Sequence, residues 1–263
     1  KKIAEGDVGV LCFDGNPSRY FPTGKSPLVL TSLEDKERLF ALQGVSLLYL
    51  LHLDPGFFSH KPEEFMDQIL TPLKPAHLVV GEDYTFGKDK AGNANTLKSR
   101  FSTMVVPLCE IGGIKVSTQS IISFLKEGNL RQANAFLGRP YQLVGKAVRG
   151  FQNGRKIGFP TANLALDAPY VLPKSGVYLG LCYVDGLPYK SLINIGANPT
   201  VGLLKQNIVE CYLEGLDKDI YGSRLYVDFL SYVREEKKFD SLQDLEAQIL
   251  IDRRLLSSEP LKE

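Results

Sequence analysis

The spacing of the apolar residues changes once along this chain, near residues 138–141 (GRPY). Before that point, apolar runs alternate with stretches in which apolar residues recur every three or four positions, the spacing of amphipathic helices. Beyond it, short segments alternate apolar and polar residues and are separated by Gly, Pro and Asn, as in antiparallel strands. The change predicts two domains, residues 1–137 and 138–263, and a chain of 263 residues is long enough for both.

The first part of the chain reads as an α/β domain. Gly and Ser signals at helix ends and the apolar runs between them predict the order strand, helix, strand, helix, strand. The predicted elements are a strand at Gly9–Phe13, a helix from Ser32 to Gly44, a strand at Val45–Leu53, a helix opening at Pro62 and a strand at His77–Gly81. This order predicts a parallel sheet covered by helices, with ligands at the carboxyl ends of its strands.

The second part reads as a small antiparallel barrel that is followed by a helix. Five segments alternate in the manner of strands: residues 143–148, 177–184, 191–196, 207–213 and 224–233. From about Ser241 to Leu256, Leu242, Leu245 and Ile249 recur at helical spacing and predict a final helix with one apolar side.

Composition excludes some classes of partner. The 31 basic and 30 acidic residues nearly cancel, so no global charge points to nucleic acid or to an anionic membrane. The longest apolar run, Val45 to Leu51, is far too short to span a bilayer. Cys12, Cys109, Cys182 and Cys211 are widely scattered, which favours free thiols in a reducing cytoplasm. The sequence sets no oligomeric state.

The segment Gly154–Asn163 (GRKIGFPTAN) carries the clearest chemical signal. Gly154 and Gly158 flank Lys156 in a loop whose backbone could approach a phosphate closely. Thr161 and Asn163 offer oxygen ligands two residues apart, which suit Mg²⁺. A simple turn has the same composition, so the residues alone leave both interpretations open.

Glu210 is the second candidate. Strand alternation places Glu210, Tyr212 and Glu214 on one face of residues 207–215 and apolar residues on the other. A carboxylate beside a bound alcohol can take its proton. A solvated strand face would show the same pattern, and the pattern by itself favours that alternative.

Several motifs from Gly138 onward resemble the riboflavin kinase module of the bacterial bifunctional riboflavin kinase/FAD synthetase family. The matching segments are GRPY at 138–141, GFPTAN at 158–163, GVY at 176–178, NIG at 194–196, PT at 199–200, Glu210, DIYG at 219–222 and REEKKF at 234–239. The resemblance implies a six-stranded antiparallel barrel with a C-terminal helix.

The resemblance also implies a reaction and its residues. Riboflavin would be phosphorylated to FMN with ATP and Mg²⁺, and Glu210 would be the base for the ribityl 5′-hydroxyl. Thr161 and Asn163 would serve the metal and the phosphates. The remaining implied residues are Gly154, Lys156 and Gly158 for ATP, and Arg234 and Phe239 for flavin.

The first half resembles the FMN adenylyltransferase module of the same family, a Rossmann-like nucleotidyltransferase domain. The resemblance rests on residues 79–93 (VVGEDYTFGKDKAGN) and 116–140. It implies a nucleotide or flavin site that includes Gly81, Asp83, Phe86, Gly87, Ser117 and Thr118.

Two departures from that family concern adenylyl transfer. The family's opening histidine motif is absent, since Asn16–Phe21 follows Phe13-Asp14-Gly15, and the chain begins like the tail of a helix, so we expect residues upstream. Gln119 and Ile122 also stand where the family has a hydroxyl residue and an arginine. The alternatives are therefore a full bifunctional enzyme or a flavin-binding regulatory module, beside the kinase alone.

Overall fold

The computed structural model describes residues 6–15, 17, 28–149, 159, 161–197 and 207–258. The chain forms two compact units. One comprises residues 1–27 and 33–116, and the other comprises residues 28–32 and 117–263. Within the described ranges, no helix is both long and apolar enough to cross a membrane.

The first unit has the expected α/β order. Its strands are β1 Gly9–Phe13, β2 Leu47–Leu51, β3 Leu78–Gly81, β4 Thr85–Phe86, β5 Gly92–Asn93, β6 Thr103–Val106, β7 Glu110–Ile111 and β8 Ile114–Lys115. Its helices are α1 Leu33–Leu42, α2 Pro62–Phe65, α3 Thr71–Leu73 and α4 Ala94–Lys98, with a π-helical turn at Met66–Leu70 between α2 and α3. The second and third predicted strands are present but shorter than predicted.

The long strands of this unit pair in parallel, as predicted. β1 lies beside β2, and β3 lies beside β6, so these four strands form two separate parallel pairs. Residues of both pairs pack on one apolar cluster: Phe65, Met66, Leu70, Phe86 and Leu97 form its buried centre. The helical segment that opens at Pro62 supplies most of that centre because its apolar side faces the strands.

The second unit is a closed antiparallel barrel, which confirms the predicted architecture. Its strands are β9 Tyr141–Val148, β10 Thr161–Leu166, β11 Gly176–Val184, β12 Leu187–Ala197, β13 Asn207–Leu213 and β14 Arg224–Arg234. Around the barrel the order is β10, β13, β12, β11, β14 and β9. The strand that alternation did not reveal is β10, which begins at Thr161, inside the segment interpreted as a loop.

Two helices outside the predicted barrel segment belong to the same compact unit: α5 Thr118–Glu127 and α6 Leu130–Leu137. Asn134 joins α6 to two strands, because its Nδ2 donates to Phe229 O at 2.9 Å and its Oδ1 accepts from Tyr141 N at 2.8 Å. The compact unit consequently begins before Gly138. The boundary of the two functional modules at Gly138 remains a prediction.

The C-terminal helix, α7 Leu242–Ser258, packs on the outer face of the barrel. Leu256 and Ile249 contact a buried cluster that includes Leu192 and Tyr212. Lys190 Nζ also donates to Leu256 O at 3.3 Å. The helix therefore covers part of the strand face that carries the candidate site.

Candidate functional site

Polar residues of three neighbouring strands form a row on the outer face of the barrel. Asn163 of β10 pairs with Glu210 of β13, and Glu210 pairs with Asn194 of β12. Residues directly opposite in antiparallel strands point to the same face, with Cβ atoms about 4.5–5.5 Å apart. We call Asn163, Glu210 and Asn194 the polar row.

The flanking residues show that the polar row faces outward. Cys211 and Val209, on either side of Glu210, are 0% and 1% exposed and fill the barrel interior. Ile193 and Ile195 do the same on either side of Asn194. The row residues themselves are half-buried, so a ligand could reach them.

Thr161 joins the polar row through a hydrogen bond. Its hydroxyl donates to Oε1 of Glu210. Thr161 and Asn163 lie two residues apart in β10 and therefore share the outward face with Glu210. The structure thus brings together the three residues that the sequence singled out as metal ligands and base.

The chain that enters β10 is anchored beside the row. Phe159 is 6% exposed, and its ring meets the ring of Tyr212 edge-on, with centroids 5.4 Å apart. Both rings belong to the cluster under α7. The other residues proposed for ATP, Gly154, Lys156 and Gly158, lie outside the described residues.

Arg234 lies at the end of β14 and is held by α7. Its Nη2 donates to Oδ2 of Asp252 at 2.7 Å, and its Nε donates to both carboxylate oxygens. The side chains of Arg234 and Asp252 are only 16% and 3% exposed. Phe239 is half-buried beyond the same strand end. Arg234 thus ties the segment before Phe239 to α7.

Sequence reasoning missed Asp252, although a signal was present. Asp252 lies three residues after Ile249 and four before Leu256, so it falls on the predicted apolar side of the helix. A carboxylate on a buried helix side requires a cationic partner. That requirement, together with the Arg234 motif, could have predicted the pair.

Glu214 shares the strand face of Glu210 but is occupied by α7. Arg253 Nε donates to both oxygens of Glu214 at 2.9 Å, and its Nη2 donates to Oε1. This hydrogen bonding holds the pKa of Glu214 below its usual value. Glu214 is therefore an anchor for the helix.

The four cysteines are free, as the sequence predicted. Cys182 and Cys211 are buried in the barrel, and burial raises the pKa of Cys182 to about 12. In the described part of the chain, no group of three or more His, Cys, Asp or Glu side chains could hold a metal ion. The hydroxyl oxygen of Thr161 and the amide oxygen of Asn163 remain the metal ligands that were predicted from the sequence.

Four residues proposed for adenylyl transfer lie in the first unit, at or after the end of β3. Asp83 Oδ2 and Lys115 Nζ are 2.6 Å apart, and this hydrogen bond lowers the pKa of Asp83. Phe86 is 6% exposed and packs in the core. Gly87 has a φ of +74°, and a Cβ there would lie 2.9 Å from Pro62 N. Gly81 is half-buried.

Ser117 and Thr118 lie in the second unit, at the start of α5. Ser117 is the N-cap, and its hydroxyl oxygen accepts from Ser120 N at 3.2 Å. Thr118 is the exposed first residue of the helix. Of the six residues proposed for adenylyl transfer, four therefore belong to the first compact unit and two to the second.

A pair that the sequence did not single out lies at the carboxyl ends of β1 and β2. His52 Nδ1 and Asp14 Oδ2 are 2.6 Å apart, and Leu53 N donates to Asp14 Oδ1 at 3.2 Å. The hydrogen bond with His52 lowers the pKa of Asp14. The side chain of His52 is 80% exposed.

Two family profiles match the chain. The riboflavin kinase profile matches residues 137–258, and the FAD synthetase profile matches residues 2–121. A relative from Bacillus subtilis, described as a bifunctional riboflavin kinase/FMN adenylyltransferase, is 33% identical over 264 residues, covering 96% of this chain and 83% of the relative. The Escherichia coli K12 protein of the same description is 34% identical, covering 93% of this chain and 80% of the relative.

A solved structure shares the fold. It is described as a macrolide-efflux protein from Streptococcus pneumoniae, is 30% identical, and superposes with a TM-score of 0.89 over 97% of this chain and 84% of that chain. The similarity of sequence over both halves agrees with the α/β unit and the six-stranded barrel. The chain belongs to the bifunctional riboflavin kinase/FMN adenylyltransferase family.

Proposed function

We propose that this chain phosphorylates riboflavin to FMN with ATP and that the reaction takes place at Glu210, beside Thr161 and Asn163. The observation that carries the proposal is the contact of Thr161 with Glu210, beside Asn163. A hydroxyl, an amide and a carboxylate on one barrel face supply phosphate-side ligands next to a base. The family profile over residues 137–258 supports the same reaction.

Glu210 is the proposed base. Its Oε1 accepts the Thr161 hydrogen bond, which orients the carboxylate and leaves the other oxygen for the 5′-hydroxyl of the ribityl chain. Transfer of the γ-phosphoryl group of ATP proceeds in line, so the protein mainly positions the hydroxyl opposite the leaving oxygen.

The oxygen atoms of Thr161 and Asn163 fit Mg²⁺. A hydroxyl that donates its hydrogen to Glu210 keeps its lone pairs for a metal. The amide oxygen of Asn163 is a hard ligand on the same face. When bound, Mg²⁺ would neutralise charge on the transferred phosphates. Gly154, Lys156 and Gly158 are proposed for the phosphates from their sequence alone.

Arg234 and Phe239 are proposed for flavin in different ways. Because Arg234 is held by Asp252, its proposed part is to position the segment that leads to Phe239. The half-buried ring of Phe239 is the proposed apolar contact for the isoalloxazine ring. We also propose that the enzyme works in the cytoplasm, and its four free thiols support that proposal.

The test of the kinase reaction uses the whole chain. Riboflavin and MgATP are incubated with the folded protein, and FMN is followed by chromatography. We expect FMN and ADP in equal amounts, with none when ATP or Mg²⁺ is omitted. Riboflavin binding without any FMN would instead support the regulatory module.

FMN adenylylation to FAD is a second candidate, favoured by the FAD synthetase profile over residues 2–121. The proposed residues are Gly81, Asp83, Phe86, Gly87, Ser117 and Thr118. Phe86 is buried in the core, and the centroid of its ring lies 5.1 Å from that of Phe65. We therefore propose that Phe86 supports the loop of this site.

Little FAD is expected from the 263-residue chain itself. Its sequence lacks the family's histidine motif and has Ile122 where an arginine would hold phosphate through two parallel hydrogen bonds. The measurement is FAD formation from FMN and MgATP, compared with FMN formation from riboflavin in the same preparation. FAD synthesis as fast as the kinase reaction would contradict the prediction.

Thr161→Ala and Asn163→Ala are expected to weaken the use of MgATP more than the binding of riboflavin. Their oxygens are assigned to the metal and the phosphates, and binding of the isoalloxazine ring depends on neither. We expect kcat/KM for MgATP to fall about 10- to 100-fold, the range for a lost hydrogen bond to a charged group. Fluorescence quenching reports riboflavin affinity, and equal loss of both by a folded variant would show that the two residues are misplaced.

A further inference from the structure

The polar row extends past Glu210, on the side away from the proposed phosphate ligands. Thr161 and Asn163 lie on β10, whereas Asn194 lies on β12, across β13. Neighbouring strands are about 4.8 Å apart. With the 5′-hydroxyl at Glu210 and the phosphates near β10, a ribityl chain that extends away from the phosphates runs over β12.

Gly196 opens a space beside Asn194. The two residues share the outward face of β12 because they lie two positions apart. A Cβ on Gly196 would overlap Oε1 of Glu236 and would lie 3.3 Å from Nδ2 of Asn194. The missing side chain therefore lets the Glu236 carboxylate lie over Gly196, on the face of β12 that carries the Asn194 amide.

The chemistry of these two groups matches a polyol. The Asn194 amide both donates and accepts hydrogen bonds, and an ionised Glu236 accepts from neighbouring hydroxyls. Hydrogen bonds to an ionised group are the stronger kind. No other part of riboflavin offers hydroxyl groups in sequence along a chain, so Asn194 and Glu236 would bind the ribityl chain.

We infer that Asn194 and Glu236, over Gly196, form a subsite that binds the secondary hydroxyl groups of the ribityl chain. The inference rests on the proposed kinase function, whose residues lie on the phosphate side of the row. It assigns discrimination between flavins with different side chains to residues that take no part in phosphoryl transfer.

The test compares two substrates with the intact chain. One is riboflavin, and the other is a flavin analogue whose side chain is 5-hydroxypentyl, which keeps the primary hydroxyl but has no secondary hydroxyls. Asn194→Ala is expected to lower kcat/KM for riboflavin by about 10- to 100-fold, as for one or two lost hydrogen bonds. Glu236→Gln is expected to lower it by about 10-fold, because glutamine keeps an acceptor oxygen but loses the charge that strengthens its hydrogen bonds. For the analogue we expect less than about a threefold change, since the lost bonds were never made.

Glu235→Gln is the matched control for Glu236→Gln. Glu235 is the preceding residue, and its 75% exposed side chain pairs with Lys174 at 2.9 Å. We expect it to leave both substrates unchanged. Gly196→Ala adds a third variant, which should also weaken the use of riboflavin because the new methyl group would displace the Glu236 carboxylate.

The outcomes separate the subsite from the kinase function. A wild-type chain that makes no FMN overturns the proposed function itself. If the wild-type chain makes FMN, the subsite alone is tested by Glu236→Gln. The subsite is overturned if this variant lowers kcat/KM for riboflavin and for the analogue equally, or lowers neither. Because Glu236 is exposed, Glu236→Gln keeps the test decisive even where Asn194→Ala fails to fold.

Discussion

Replacing Glu210 with glutamine is expected to lower kcat for riboflavin phosphorylation by about 10²–10⁴-fold, the usual contribution of a general base. Glutamine keeps an oxygen that can accept the Thr161 hydrogen bond, but it cannot take the proton of the 5′-hydroxyl. The lower end of the range is expected because a largely dissociative phosphoryl transfer needs less help from a base. Riboflavin affinity, measured by fluorescence quenching beside steady-state turnover, should stay nearly unchanged.

Glu214→Gln supplies the comparison on the same strand face. Arg253 donates hydrogen bonds to both carboxylate oxygens of Glu214, and these bonds anchor α7. We therefore expect Glu214→Gln to have lower thermal stability and a turnover close to that of the parent. The loss should stay near 1 kcal/mol, the upper end for partly exposed ion pairs. If Glu210→Gln turned over like the parent while Glu214→Gln lost activity at full stability, the base would be wrongly assigned.

Asp252→Ala is expected to destabilise the barrel unit by about 3–5 kcal/mol, the cost of leaving one partner of a buried ion pair uncompensated. The variant leaves the 16% exposed side chain of Arg234 without the carboxylate that accepts its hydrogen bonds. Urea unfolding of the intact chain measures the loss of stability. Because the chain has two compact units, the unfolding transition of each unit is fitted by itself.

Asp185→Asn is the surface control for this prediction. Asp185 pairs with Lys218 at 2.8 Å, but their side chains are 69% and 44% exposed. Exposed pairs contribute about 0–1 kcal/mol, so the control should unfold almost like the parent. A loss below about 1 kcal/mol in Asp252→Ala would mean that water or another group stabilises Arg234 as well as Asp252 does.

Local periodicity accounts for the parts of the fold that were predicted correctly. A period of two places Glu210 and Glu214 on one face and buries Cys211, whatever strand lies alongside. The same local rule predicted β13 with the bounds that the structure has, Asn207–Leu213. β10 escaped detection because Gly, Pro, Thr and Asn at its start are typical of turns, and pairing with β13 and β9 overrides that tendency.

Short segments of the sequence likewise predicted one part of the candidate site, and packing between segments decided the rest. Thr161, Asn163 and Glu210 were chosen from residue chemistry and from motifs, which are properties of short segments of the chain. That Glu210 lies between Asn163 and Asn194 depends on the register of three strands, which no segment contains by itself. Whether Arg234 meets Asp252, and whether Phe86 turns inward, likewise depends on packing between distant segments. Periodicity is a local property that the sequence displays directly, whereas register and helix docking are decided by the free energy of contacts that exist only in the folded chain.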